Sequence, residues 1–286
     1  MKHTNQMSKI ALLIILAAPI ILSVNSCKKI EGCTDATSLD YNAEATVDDG
    51  SCTYPEESTK VTLLEFTATW CGPCGSWGSD AFHESLTNNP NDVIGIAVHA
   101  SNTDPMYNSV SQALINNFTI SGWPNFWLGN DFLGTNYYQI TTLLPTYLST
   151  AVVANASARL TKTETALEVK TSAKFFSDAT GDFYLGVYVI ENGIPGDDLA
   201  GAYNQNGATD ADHPGYTHDH VMRAVAGSNP WGSQIVTGSI TAGEIINLDF
   251  SIPMQVEWNA DNVHVICIIW KANGTTYDFV NAAEAE

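Results

Sequence analysis

The chain has 286 residues, 44% of them hydrophobic and 15% charged, which leaves room for about two modest cores beside a leader and a linker. Its 31 acidic residues against 11 basic ones give a formal net charge of −20. That balance argues against nucleic acid and anionic lipid as partners, because both are gripped by Lys/Arg patches and none follows Lys28-Lys29.

Lys2 and Lys9 give a weakly positive start, and an apolar run from Ile10 to Leu22 follows, too short to span a bilayer as a stable helix. It leads into Ser23-Val24-Asn25-Ser26-Cys27. This resembles a bacterial lipobox, with an aliphatic residue three places before the cysteine and a small one just before it. Asn25 departs from the small or apolar residue usual there. Residues 1–26 then read as a lipoprotein signal peptide. The resemblance implies acyl chains, palmitate among them, on Cys27, and several chains anchor stably where one does not. An ordinary signal peptide cut elsewhere and an uncleaved anchor are the rival readings. Lys28, in place of an acidic residue, points to the outer membrane by resemblance to known sorting preferences, with the facing side left open.

Six cysteines occur, and an exported chain sits where disulfides persist. Cys33 and Cys52 bracket a short polar segment that buries no core of its own, so they are expected to bond to each other. Cys267 lies in the apolar run Val263–Trp270, which reads as a buried strand with an inert thiol. Residues 32–54 resemble a short spacer repeat of surface and secreted proteins in Gram-negative gliding and gut bacteria. The marks are Gly32-Cys33-Thr34-Asp35, Asp40-Tyr41-Asn42 and Asp48-Asp49-Gly50-Ser51-Cys52. Asp35, Asp40, Asn42, Asp48 and Asp49 offer oxygen ligands for calcium, but the spacing is not that of a twelve-residue EF-hand loop and no Glu closes it. Residues 27–58 therefore read as a lipid-anchored linker carrying a disulfide-stapled spacer.

Residues 59–154 alternate strands and helices. Val61–Thr67 is a mostly apolar strand that runs into Ala68-Thr69-Trp70-Cys71-Gly72-Pro73-Cys74. A helix is expected to about Leu86, a buried strand over Asp92–His99, a helix from about Pro105 to Phe118, a strand over Gly122–Leu128 and a last helix over Tyr137–Val153. That order predicts a mixed or parallel sheet covered on both faces. A zinc site would need a second Cys/His pair, and none is spaced for it. Trp-Cys-Gly-Pro-Cys between strand and helix resembles the thioredoxin superfamily. Glu65, six residues before Cys71, matches the family's buried acid, and Trp123-Pro124 matches its cis-proline.

At a helix N-terminus, backbone N–H groups and the macrodipole stabilise a thiolate at Cys71, and Cys74 stands one turn away to close a disulfide. Cys71 reads as the attacking thiol and Cys74 as the resolving one. The resemblance implies that Glu65 relays a proton for Cys74 and that Trp70, Trp123 and Pro124 hold an extended client chain. No cofactor or metal is implied; the partners are thiols and disulfides of exported proteins, with the redox donor or acceptor open. Three departures stand out: Gly75 replaces a basic residue, Asn125 a Thr, and Glu65 the shorter Asp.

Residues 155–286 read as β-rich, with alternation in Ala166–Thr171, Phe183–Ile190 and Ile245–Phe250 and turn signals between them. The expectation is an immunoglobulin-like β-sandwich domain. Asp210, Asp212, His213, His218, Asp219 and His220 invite a metal reading; a polar loop with Arg223 paired to a carboxylate is preferred. The order of these motifs, through His218-Asp219-His220-Val221-Met222-Arg223 and Trp231-Gly232, resembles the outer membrane lipoprotein family of the twenty-eight-kilodalton class. Two functions follow: a membrane-anchored thiol–disulfide oxidoreductase, or an envelope binding lipoprotein whose CxxC is a structural disulfide.

Overall fold

A computed structural model of the chain describes residues 28–197, 201–208 and 215–286. The leader, Cys27, Asp210, Asp212 and His213 lie outside the described residues. The first half runs β1 (Val61–Thr67), α1 (Ser79–Asn88), β2 (Val93–His99), α2 (Ser109–Phe118), β3 (Asn125–Leu128), β4 (Asp131–Gly134) and α3 (Ile140–Ser149). The second half begins with β5 (Ala154–Lys162), β6 (Ala166–Phe175), β7 (Ala179–Thr180), β8 (Phe183–Glu191) and β9 (Ile194–Pro195). It continues with β10 (Thr217–His218), β11 (Val221–Val225), β12 (Ser233–Val236) and β13 (Ser239–Ile240). The chain closes with β14 (Ile245–Pro253), β15 (Val263–Asn273) and β16 (Thr276–Glu284). Strands dominate and helices are few. No helix among the described residues is long and apolar enough to cross a membrane.

β1 and β2 are buried at every position, as expected of parallel strands covered on both faces. β3 pairs antiparallel to β1, and β4 to β3. α1 presses closely on β2 at Gly95, where an added Cβ would stand 2.4 Å from Leu86 Cδ1 and 2.9 Å from Phe82 Cζ. α2 is capped by Asn108, whose side chain accepts from the backbone N–H of Val110 and Ser111. The helix therefore starts four residues later than the apolar pattern suggests.

The two halves share a sheet. Its strand order is β16-β15-β8-β11-β2-β1-β3-β4, with β12 added to β8. β11 makes the junction: it pairs parallel to β2 at Val221 and Ala97, and Ala97 N–H donates to His220 O at 2.7 Å. The segment expected to be a polar loop after His218 is thus a strand in the middle of the sheet.

β8 and β15 bury both faces, and the pleat divides their side chains between two cores. Tyr188, Ile190, Ile266, Ile268 and Trp270 join Phe66, Phe82, Phe118 and Phe126 in one core. Leu185, Val187, Val189, Val265, Cys267 and Ile269 face the other, against the three-stranded sheet β14-β6-β5. The second half therefore does layer two sheets, but one layer is the sheet it shares with the first half. Cys267 is free and fully buried, and burial pushes its thiol up to about 12.

Cys33 and Cys52 are bonded to each other. Around them Asp35 accepts from Thr37 and Tyr54, Asp48 from Gly50 N–H, Asp49 from Ser51 N–H, and Asp40 pairs with Arg159 at 2.6 Å. Asn42 accepts from Glu44 N–H. These oxygens serve turns and a cation, and no metal-ligating cluster of acidic, His or Cys side chains forms among the described residues.

Candidate functional site

β1, an interior strand of the shared sheet, leads into the CxxC motif. The chain turns sharply after it, with Cys71 N–H donating to Ala68 O at 3.0 Å, and enters a helix at Gly72. Cys71 and Cys74 are bonded, 4% and 1% exposed, and packed with Ala68 and Trp123. The backbone N–H of Cys74 donates to Cys71 Sγ at 3.2 Å. That donor, at a helix start, is what a thiolate at Cys71 needs when the bond opens. A π-helical turn, Cys74–Gly78, carries the chain into α1.

The Trp123–Pro124 bond is cis. Gly78 allows the helix to settle on it: a Cβ there would stand 2.9 Å from Pro124 Cγ and 3.1 Å from Glu65 Oε1. Glu65, Pro124 and the turn after Cys74 therefore converge on one spot. Glu65 is buried in β1 opposite Ala97 and Phe126, and its Oε1 finds no hydrogen-bond partner. Burial without compensation pushes its carboxyl up to about 8, so it is neutral at pH 7. Trp70 is 43% exposed and meets Trp123 edge-on, with ring centroids 5.5 Å apart.

Residues the sequence reading did not assign to the site complete it. Asp104 Oδ2 accepts from Thr69 N–H at 2.7 Å and faces His99 Nδ1 at 3.1 Å, while Oδ1 accepts from Met106 N–H. Burial alone would raise the Asp104 carboxyl, but the bonds from His99, Thr69 and Met106 outweigh it and hold the group below its ordinary range. His218 lies edge-on to His99 at 5.3 Å, and its Nε2 bonds Tyr203 O at 2.8 Å. Burial, followed by the neighbouring His99, pushes His218 down to about 4 and keeps it neutral. Arg223 pairs with the buried Glu191 at 3.2 Å. His218 and Arg223 thus have packing and hydrogen-bond roles in the described structure.

From the far half, residues Tyr203–Ala208 run across the motif. Gln205 Nε2 donates to Ala68 O at 3.1 Å and Cys71 O at 2.9 Å, and Asn206 N–H donates to Thr69 O at 2.7 Å. Asn206 Nδ2 donates to Trp70 O. Nothing in the local sequence pattern announces this beyond an Asn-Gly turn signal at Asn206-Gly207.

A bonded CxxC pair thus opens a helix on a mixed sheet, and a β-rich half shares that sheet. The model of the family described as outer membrane protein Omp28 matches residues 111–284, and the chain belongs to that family. It is a protein of the bacterial outer membrane. The matched stretch begins after Cys71 and Cys74. No curated protein matches the sequence. The structure is similar to HBP35 of Porphyromonas gingivalis, with a TM-score of 0.65, 18% identity, and coverage of 81% of this chain and 76% of that one. That likeness is one of fold. A domain of the outer membrane lipoprotein Omp28 from the same organism covers 47% of this chain and 88% of its own at 12% identity. Its TM-score of 0.30 is too low to indicate a shared overall fold.

Proposed function

We propose that the chain is a membrane-anchored thiol–disulfide oxidoreductase with a thioredoxin-like centre, acting on cysteines of exported proteins through Cys71 and Cys74. The observation that carries this reading is the Cys74 N–H aimed at Cys71 Sγ. Cys27 supplies the lipid anchor, and Trp70, Trp123 and Pro124 hold the client in an extended pose.

In the bonded form, a client thiolate attacks Cys71 Sγ and the Cys71–Cys74 bond breaks. The electron pair leaves on Cys74 Sγ, which takes a proton from neutral Glu65. A second client thiolate attacks the client sulfur of the mixed disulfide, and Cys71 departs as a thiolate facing the Cys74 N–H. The client is oxidised by two electrons and the pair is reduced. In reverse the pair reduces a client disulfide, and an external dithiol must then restore it.

The test is insulin reduction and scrambled-substrate turnover by the full mature chain in detergent, beside Cys71→Ser. Turnover should vanish in the variant. A pair that resists reduction below about −300 mV, as structural disulfides do, with turnover indifferent to Cys71, sinks the reading. One observation favours a second reading, an envelope binding lipoprotein with a structural CxxC: both sulfurs are almost wholly covered. The same assay separates the two.

A further inference from the structure

Gly75 stands where the thioredoxin-like pattern has a basic residue, and the structure supplies a physical reason. A Cβ on Gly75 would lie 2.5 Å from Asn206 O and 2.8 Å from Ala208 N. On the other side of the contact, a Cβ on Gly207 would lie 2.1 Å from Gly72 O, at a φ of +89° that side chains rarely adopt. Two glycines, 132 residues apart by number (207 − 75), thus let two backbones touch. Gln205 is 2% exposed, and its amide and that of Asn206 tie down the carbonyls of Ala68, Trp70 and Cys71. The strap is itself held: Gln205 N–H donates to Gly196 O at 2.9 Å, and Tyr203 O is bonded by the buried His218.

We propose that the strap Tyr203–Ala208 is a positioning and client-selecting element of the redox centre. It fixes the loop 68–72 that sets Cys71, and it closes the Gly72–Gly75 side. Clients then reach Cys71 only past Trp70 and Trp123, which suits an extended chain or a small thiol and rejects a folded surface. Gln205 is its principal positioning residue, through the Cys71 carbonyl. The inference rests on the redox reading and deepens it by naming the client class.

The test uses the full mature chain, reduced with a phosphine and then freed of it. Cys71 is alkylated with a small iodoacetamide and with a bulky polymer-linked maleimide, labelling is mapped by peptide mass, and the pair's potential is read in a dithiol buffer. Gly207→Val must lift the strap, and Gln205→Met removes its donors at similar length. In wild type the bulky reagent should lag far behind the small one. In both variants the lag should shrink about tenfold, because exchange rates follow access and thiolate fraction. The pair's equilibrium constant should also move about tenfold, roughly 30 mV for this two-electron couple. If Gly207→Val fails to fold, Gln205→Met alone decides. Folded variants whose lag and potential stay within twofold of wild type overturn the proposal. A wild-type pair that cannot be reduced sinks the redox reading instead, and wild-type turnover reports on that reading separately.

Discussion

Two disulfides among the described residues lie in opposite surroundings. Cys33–Cys52 closes a segment of 19 residues' separation in which the exposed carboxylates of Asp35 and Asp49 accept from Thr37 N–H and Ser51 N–H. The Tyr54 hydroxyl, followed by Thr37, holds Asp35 below its ordinary range, and Ser51 does the same for Asp49. Cys71–Cys74 closes a loop of three residues' separation in a small buried cluster with Ala68 and Trp123, beside a carboxyl that burial pushes the other way. The first bond stands in for a core that the segment is too small to build. The second lies against a core that already exists, and under the proposed function its surroundings serve thiol chemistry.

The largest expected effect comes from Glu65→Gln. A carboxyl whose folded pKa of about 8 stands above its ordinary 4.5 costs nothing below about pH 4.5. Its cost then grows as pH rises and is complete above about 8. The glutamine variant should match wild type in acid and exceed it in alkali, by on the order of 3–5 kcal/mol. Denaturant melts at pH 4, 7 and 9 measure this, and equal stability at all three would refute it. The same variant should slow resolution at Cys74. Second, Cys33→Ser should loosen the spacer by about 3 kcal/mol while the main melting transition holds. Protease cleavage within residues 30–54 reads the first, and calorimetry reads the second. Third, Gly78→Ala should cost about 1–3 kcal/mol by pushing a methyl against Pro124 and Glu65. Its unfolding midpoint should fall, and client turnover should fall with it. The smallest effect belongs to Asp35→Asn, which weakens an exposed turn. Spacer proteolysis should quicken slightly with no resolvable change in global melting.

Parts of the centre were legible because their chemistry is local. A strand running into Trp-Cys-Gly-Pro-Cys spans a few adjacent residues, while Glu65 and Trp123-Pro124 were legible only through the thioredoxin resemblance. The run Val263–Trp270 announced a buried strand for the same reason, since an unbroken apolar stretch needs cover on both faces. The His218–Arg223 segment misled because charge and histidine content suggest a loop. Neighbouring strands β8 and β2 instead supply β11 with pairing on both edges, and Glu191 neutralises Arg223.

The sequence by itself determined the Cys33–Cys52 pairing, the strand–CxxC–helix order and the stapled spacer, because each depends on residues close in the chain. Tertiary structure alone decided that both halves share one sheet, that burial pushes the Glu65 carboxyl up to about 8, and that Gln205, 134 residues from Cys71, bonds the Cys71 carbonyl. Those features depend on packing between distant segments, and no local pattern encodes which backbone a glycine will let through.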